Sequence, residues 1–252
     1  MVTFYDDPFF DYRKFWSGRL YEDQAEKIAL KRLLQLVSPK KKILDIGGGF
    51  GRMVPVYASL FEKCVLMDPS EKLLDQAKKF CRRYQNVLIK RGVVEKIPQK
   101  DDSFDTVISI RTFHHLSDPR KAIKEIYRVL RPGGFLILEF ANKMRFKNVL
   151  RAIFSLNLNF FTNHRPIRVG QSNKKIPFFS YHPNQIKTLL YAEGFKILKI
   201  LSVSNFRSPL IKKIIPLRLL LNLESIFSLI SSYFPPLQFW GPSIFILAQK
   251  KK

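Results

Sequence analysis

Residues 43–52 read Ile-Leu-Asp-Ile-Gly-Gly-Gly-Phe-Gly-Arg, and this stretch decides how the rest of the chain is read. Ile43, Leu44 and Ile46 suit a strand buried on both faces, as parallel strands are. Gly47, Gly48, Gly49 and Gly51 permit a tight turn and close approach of a ligand to backbone. Asp45 stands near the strand's carboxyl end, outside which open α/β sheets bind their ligands. A phosphate-gripping loop would end in Gly-Lys-Ser/Thr, but Gly51 is followed by Arg52 and Met53. A Gly-x-Gly-x-x-Gly dinucleotide turn fits poorly, because its last glycine would fall on Arg52 or Val54.

Downstream, apolar strand-like runs alternate with amphipathic helical ones, the pattern of a parallel α/β sheet. Met53–Phe61 reads as a helix and Lys63–Met67 as a second strand ending in Asp68, where one carboxylate can accept both hydroxyl hydrogens of a ribose. Pro69-Ser70-Glu71 opens a helix running to about Tyr84, with Leu73, Leu74, Ala77 and Phe80 as its apolar stripe. Val87–Lys90 is a short third strand, and Thr106–Ile110 a fourth after the polar turn Asp101–Asp105. Arg111-Thr112-Phe113-His114-His115-Leu116 follows its carboxyl end. A helix from Asp118-Pro119, the turn Arg131-Pro132-Gly133-Gly134 and a fifth strand Phe135–Phe140 complete this half.

Asp45-x-Gly47-x-Gly49-x-Gly51, Asp68-Pro69-Ser70, Ser103-Phe104-Asp105-x-Val107 and Leu130-Arg131-Pro132-Gly133-Gly134 occur in this order over residues 43–140. Together they resemble the motifs of class I S-adenosylmethionine-dependent methyltransferases, in particular the small-molecule and lipid enzymes called type 11. The resemblance implies a Rossmann-like α/β fold: a central, mostly parallel seven-stranded sheet with an antiparallel last strand and helices on both faces. It implies S-adenosyl-L-methionine as cofactor, held by Asp45, Gly47, Gly48, Gly49, Gly51, Asp68, Pro69, Val94, Glu95 and Arg111. An N-terminal helix often covers the cofactor in such enzymes, which adds Tyr21, with Arg19 and Glu22 beside it. The family commonly carries an acid after the glycine of Gly-Asp-Ala-Glu-x-Leu-Pro; here Gly92 is followed by Val93, leaving adenine to backbone near Val94 and to Glu95. His114 and His115 fall beside the reactive sulfonium, where either is a candidate general base or a residue that only shapes the pocket.

Outside this core the chain is aromatic at its start (Phe4, Tyr5, Phe9, Phe10, Tyr12, Phe15, Trp16), a pattern that reads as a cap packed on the core. Tyr21–Val37 has helical apolar spacing. The 252 residues contain no Pro/Gly/Ser-rich linker, so one methyltransferase domain is expected: cap 1–40, cofactor-binding core 41–140, substrate lid 141–182, and a closing helix and strand pair 183–252 with an apolar insertion at 208–241. Cys64 and Cys81 have neither disulfide nor metal-ligand patterning, and no metal is expected. The start Met-Val-Thr-Phe-Tyr-Asp-Asp does not read as a signal peptide, so a cytoplasmic protein is expected.

Charge is unevenly placed. The net charge is +24, and residues 141–252 hold 18 basic residues against two acids, Glu193 and Glu224. Such an excess suits an anionic partner. In the lid, Arg145, Lys147, Arg151, Arg165, Arg168, Lys174 and Lys175 are interleaved with phenylalanines, a mixture that suits stacked bases with phosphates or a lipid-like substrate with an anionic head. The insertion is strongly apolar, yet Arg218 and Glu224 interrupt it and prolines bracket it, so it is not a membrane span. It reads as a lid, a dimer contact or an amphipathic helix lying peripherally on an anionic membrane, helped by Lys212, Lys213 and Arg218. Methyl transfer to a small-molecule or lipid-like acceptor is the leading expectation. An RNA or protein methyltransferase using the basic half is the alternative, and a non-catalytic cofactor-binding regulator is the alternative of another class. No Asn/Asp-Pro-Pro-Tyr run or Pro-Cys nucleophile marks a nucleic-acid enzyme, and the oligomeric state is not legible.

Overall fold

A computed structural model of the protein describes residues 4–7, 9–169 and 177–251; Lys174 and Lys175 of the expected lid lie outside the described residues. Strands β1 (Lys42–Ile46), β2 (Lys63–Asp68), β3 (Val87–Arg91), β4 (Phe104–Ser109) and β5 (Leu130–Ala141) are parallel. A two-residue-per-strand hairpin, β6 (Ile167–Arg168) with β7 (Phe179–Ser180), stands apart from them. Strands β8 (Phe195–Val203) and β9 (Ser243–Lys250) complete a seven-stranded sheet of order β3-β2-β1-β4-β5-β9-β8. The last strand, β9, is antiparallel to both β5 and β8, as the expected fold requires.

The order of strands reverses between β1 and β4, which puts a crevice at the carboxyl ends of the central strands, where ligands of open α/β sheets bind. Alternating strand residues feed two cores. Ile43, Leu66 and Ile108 pack under α2 (Leu20–Leu34), α4 (Glu71–Phe80) and α10 (Leu217–Ser231). Leu44, Val65 and Val107 pack under α5 (Arg120–Val129) and α8 (Pro183–Glu193). The smaller helices are α1 (Tyr12–Ser17), α3 (Val54–Tyr57), α6 (Phe146–Phe154), α7 (Asn159–Thr162) and α9 (Pro209–Ile214).

Two local expectations change. The helix expected over 53–61 is reduced to the single turn of α3; beyond it the chain tightens, Leu60 N–H donating to Tyr57 O at 2.9 Å, and the Asn86 side-chain amide holds the Ala58 and Phe61 carbonyls at 2.8 Å each. The turn expected at 131–134 is a bulged continuation of β5: Leu130 pairs with Phe104, the register breaks, and Phe135 resumes opposite Thr106.

Among the described residues, the 141–182 segment contains α6, α7 and the paired strands β6 and β7, and the apolar insertion 208–241 contains α9 and α10. Glu224, an interruption in sequence terms, is the inward anchor of α10. It is 1% exposed and accepts from Tyr21 Oη at 2.6 Å, Ser204 N at 2.8 Å, Asn205 N at 2.9 Å and Asn205 Nδ2 at 3.0 Å.

Candidate functional site

The glycine loop leaves β1 toward β2, with Gly47 N–H donating to Met67 O at 2.7 Å. Gly47 has φ of +69°, and a Cβ there would lie 2.0 Å from Thr112 Oγ1, so glycine is required on both counts. The Thr112 hydroxyl in turn donates to Ile46 O at 3.0 Å, stitching β1 to the residues after β4. Asp68, at the end of β2, accepts from Gly49 N–H and Ser70 N–H at 2.9 Å each. Burial pushes its carboxyl up to about 6, against those two donors, and nearby Asp6 adds to the rise.

These residues line a cavity of about 240 Å³ at the crevice. Gly47, Gly49, Asp68, Pro69, Val94, Glu95, Arg111 and His115, all singled out from sequence, meet there. Tyr5, Tyr12, Leu73, Gly92 and Thr112 meet there too and were not singled out as cofactor residues. The N-terminal aromatic cap supplies the two tyrosines as a roof, strapped to the start of α4: the Ser70 hydroxyl donates to Asp6 Oδ1 at 2.7 Å, and Lys72 Nζ donates to Asp7 O at 2.7 Å and Phe10 O at 2.9 Å.

Four expected contacts lie elsewhere. Tyr21 is buried and bridges Glu224 and Phe206 N–H, because α2 turns that side chain toward α10 and away from the crevice. Asp45 is buried beneath the loop, accepting from Tyr57 Oη at 3.1 Å, with its carboxyl pushed up to about 7 by burial. Gly48 packs over Leu66 and Asp45, and Gly51 packs against Cys81 of the α4 end. Asp45, Gly48 and Gly51 thus shape the loop from behind, while Gly47 and Gly49 face the cavity.

Arg111 follows β4 with φ of +64°, a conformation that costs a non-glycine residue on the order of 1 kcal/mol or more. Its backbone N–H donates to Glu139 Oε2 at 2.8 Å, and its guanidinium makes a two-pronged contact with Glu26 Oε1, one prong at 2.7 Å. Glu26 Oε2 accepts from Arg52 Nη2 at 2.6 Å, and Asp23 Oδ1 accepts from Arg52 Nη1 at 2.8 Å. Burial works against the Arg111 charge, but Glu26 and Glu139 outweigh it and hold the guanidinium above its ordinary range. The Trp16 ring lies 3.7 Å from the Arg52 guanidinium.

A second cavity of about 250 Å³ adjoins the first, and Tyr5, Tyr12, Arg111 and His115 line both. Aromatic side chains from the cap, Phe178 and the β6–β7 hairpin wall it. His114 lines only this second cavity. It is 4% exposed, stacked on Phe178 at 4.4 Å, with Nδ1 making no hydrogen bond among the described residues. His115 Nδ1 lies 3.3 Å from Pro177 O, which can only accept, so Nδ1 carries the proton and Nε2 accepts from Tyr5 Oη at 2.8 Å. Burial lowers both imidazoles, helped at His114 by His115 and Arg111 and opposed at His115 by the Pro177 carbonyl. Tyr181 and His182 are structural: the Tyr181 hydroxyl donates to Phe113 O and Leu116 O, and His182 Nδ1 caps α8 through Asn184 N–H. No group of three or more metal-type ligands occurs among the described residues.

Comparison with known proteins bears on the chemistry. A methyltransferase-domain family model matches residues 44–138. The chain is 32% identical over 177 residues to the demethylmenaquinone methyltransferase of Chlorobaculum tepidum, covering 69% of each protein. It is 33% identical over 129 residues to the uncharacterized methyltransferase YcgJ of Bacillus subtilis, covering 48% of this chain and only about half, 51%, of that one. A solved SAM-dependent methyltransferase from Thermotoga maritima superimposes with a TM-score of 0.58 at 21% identity over 95% of both chains, a likeness of fold. S-Adenosylmethionine is therefore the cofactor, and the chain belongs to the class I S-adenosylmethionine-dependent methyltransferases.

Proposed function

We propose that the protein methylates a small or lipid-like acceptor held in the second cavity, with the methyl donor in the first. The observation that carries this reading is the shared wall: Tyr5, Tyr12, Arg111 and His115 border both spaces, so the two ligands would meet there. A concave, aromatic-walled chamber suits a small acceptor better than a polymer laid across a surface.

The first cavity fits the donor. Gly47 and Gly49 present backbone without side chains, and Asp68 keeps unused lone pairs for the ribose hydroxyls after accepting from Gly49 and Ser70. Asp68 and Glu95 also set negative charge around a ligand that is cationic. S-Adenosylmethionine supplies a methyl group on a positively charged sulfur with a built-in leaving group. This chain's part is to hold the acceptor in line and exclude water, which the aromatic cap and the β6–β7 hairpin do by roofing the chambers. His115 is neutral, and its one lone pair, on Nε2, accepts from Tyr5 Oη at the shared wall, so an acceptor hydroxyl would give its proton to the Tyr5 oxygen as the Tyr5 proton passes to His115.

A lipid surface is the proposed source of the acceptor. Helix α10 is inside out: Glu224, Ser228 and Ser231 point inward, while Leu219, Leu223, Ile226 and Ile230 form an exposed stripe 52%, 38%, 57% and 46% accessible. Lys213 and Arg218 are exposed near it, and α9 and α10 carry no exposed carboxylate, so the complementary partner is an anionic membrane surface. None of the helices among the described residues is long and apolar enough to cross a membrane.

The test is titration calorimetry with S-adenosylmethionine followed by labelled-methyl transfer into fractionated lipid, RNA and protein. Asp68→Ala should weaken donor binding by about tenfold to a hundredfold, the worth of lost charge-assisted hydrogen bonds. Label should enter a small-molecule or lipid fraction; label in RNA or protein alone would replace the acceptor assignment.

A further inference from the structure

The two chambers differ in charge in a way that donor binding does not explain. Asp68 and Glu95 line the donor chamber, whereas the adjoining chamber is lined by four arginines, Arg19, Arg111, Arg145 and Arg207, and by no carboxylate among the described residues. Arg111 is neutralised by Glu26. The other three make no ion pair among the described residues: Arg19 lies over the Phe15 ring at 4.1 Å, and Arg145 donates to the neutral Asn148 Oδ1 at 3.0 Å. Arg207 makes no hydrogen bond among the described residues, and Glu22, whose charge acts on it, is engaged by Lys212 at 2.9 Å.

We infer that the acceptor carries an oxyanion, a carboxylate or phosphate, attached to an aromatic or apolar body, and that Arg145 and Arg207, with Arg19 at the rim, hold that oxyanion in the acceptor chamber. This rests on the donor-and-acceptor reading of the two chambers. Converging guanidiniums without counter-charge are costly to keep together unless a ligand supplies the anion, and guanidinium is the side chain suited to two-pronged recognition of carboxylate or phosphate. Arg207 records the cost: burial and the charges of Arg111, Arg145 and Arg19 push it down to about 10, with Glu22 opposing. The aromatic wall of Tyr12, Phe15 and Phe178 would take the apolar body, and placing the oxyanion at the arginines orients the rest of the molecule toward Tyr5 and His115.

The experiment titrates benzoate, phenyl phosphate and neutral benzyl alcohol into the full chain, with and without S-adenosylhomocysteine, and measures S-adenosylmethionine affinity separately. At least one anion should bind and benzyl alcohol should bind weakly or not at all; the tighter anion identifies carboxylate or phosphate as the group read. Arg145→Met and Arg207→Met should each weaken that anion by about tenfold or more. Arg207→Lys should recover part of the loss, and donor affinity should be unchanged in every variant, which also reports correct folding. Failure of both anions to bind, equal binding of benzyl alcohol, or Met variants that bind the anion like the parent would overturn the inference. A parent protein that binds an anion but no S-adenosylmethionine would instead count against the donor assignment.

Discussion

The Tyr5 hydroxyl donates to His115 Nε2 at 2.8 Å, and this pair, 110 positions apart in sequence, stands in the wall that the two cavities share. The bond exists only while the imidazole is neutral, since an imidazolium nitrogen cannot accept. Burial holds His115 below the usual histidine range, so the bond is intact at neutral pH. Tyr5→Phe removes a donor to the neutral ring, so His115 should titrate at higher pH in the variant, read from its imidazole proton resonance. If His115 takes the acceptor's proton, the parent's kcat should be flat above about pH 7, and His115→Gln should lower kcat by about a hundredfold at unchanged donor affinity. A loss under about threefold would leave His115 a wall residue only.

Asp45 is the motif acid that the structure buries instead of offering to a ligand. Its carboxyl is pushed up to about 7 by burial, with Asp68 adding to the rise and Tyr57 and Arg52 opposing it, against an unfolded value of about 3.9. A raised folded value means that the protonated form is favoured by folding. The contribution is therefore fully present below about pH 4 and is lost as pH climbs through about 7. Its upper bound is on the order of 4 kcal/mol. Asp45→Asn keeps the shape without the titration, so the variant should gain stability relative to the parent between about pH 5 and pH 8. Denaturant midpoints at the two pH values check this, and parallel pH dependence in both proteins would show that Asp45 is not titrating there.

Glu224 joins α10, the end of β8 and Tyr21 of α2 through four hydrogen bonds. Glu224→Ala leaves the Ser204 and Asn205 N–H groups without that acceptor and should cost about 3–5 kcal/mol, the range for breaking a buried charged network. Chemical denaturation measures it. A cost under about 1 kcal/mol would mean that water replaces the carboxylate readily.

The core was legible because parallel strands buried on both faces read as apolar runs: Ile43–Ile46 and Lys63–Met67 both emerge within strands. Asp68 was legible for the same local reason, an acid placed where a strand ends. What escaped depends on closure over long separations. Tyr5 meets His115 across 110 positions, Arg111 meets Glu26 across 85 and Glu224 meets Tyr21 across 203, and no periodicity encodes such meetings. Tyr21 was misplaced because helical spacing shows that α2 is amphipathic without showing which element covers each face. Arg19 was read as a cofactor candidate and Arg145 as one of the basic lid residues, but that they share one chamber with Arg207 was not legible, because the three lie in segments far apart in the chain.

The exposed stripe of α10 yields the last prediction. Leu219, Leu223, Ile226 and Ile230 follow a 4-3-4 spacing on the side away from the core, so substituting them does not disturb Glu224 or Leu220 beneath. A second copy of this chain is a poorer occupant than lipid, because pairing the face with itself would bring Lys213 and Arg218 against their own kind. The protein should float with vesicles containing anionic lipid and less well with neutral ones, with binding weakened by salt. Leu223→Asp with Ile226→Asp should release it from the vesicles at unchanged thermal stability and donor affinity. If the parent fails to float but sediments as a dimer that the double variant splits, the stripe is a subunit contact and the lipid assignment falls.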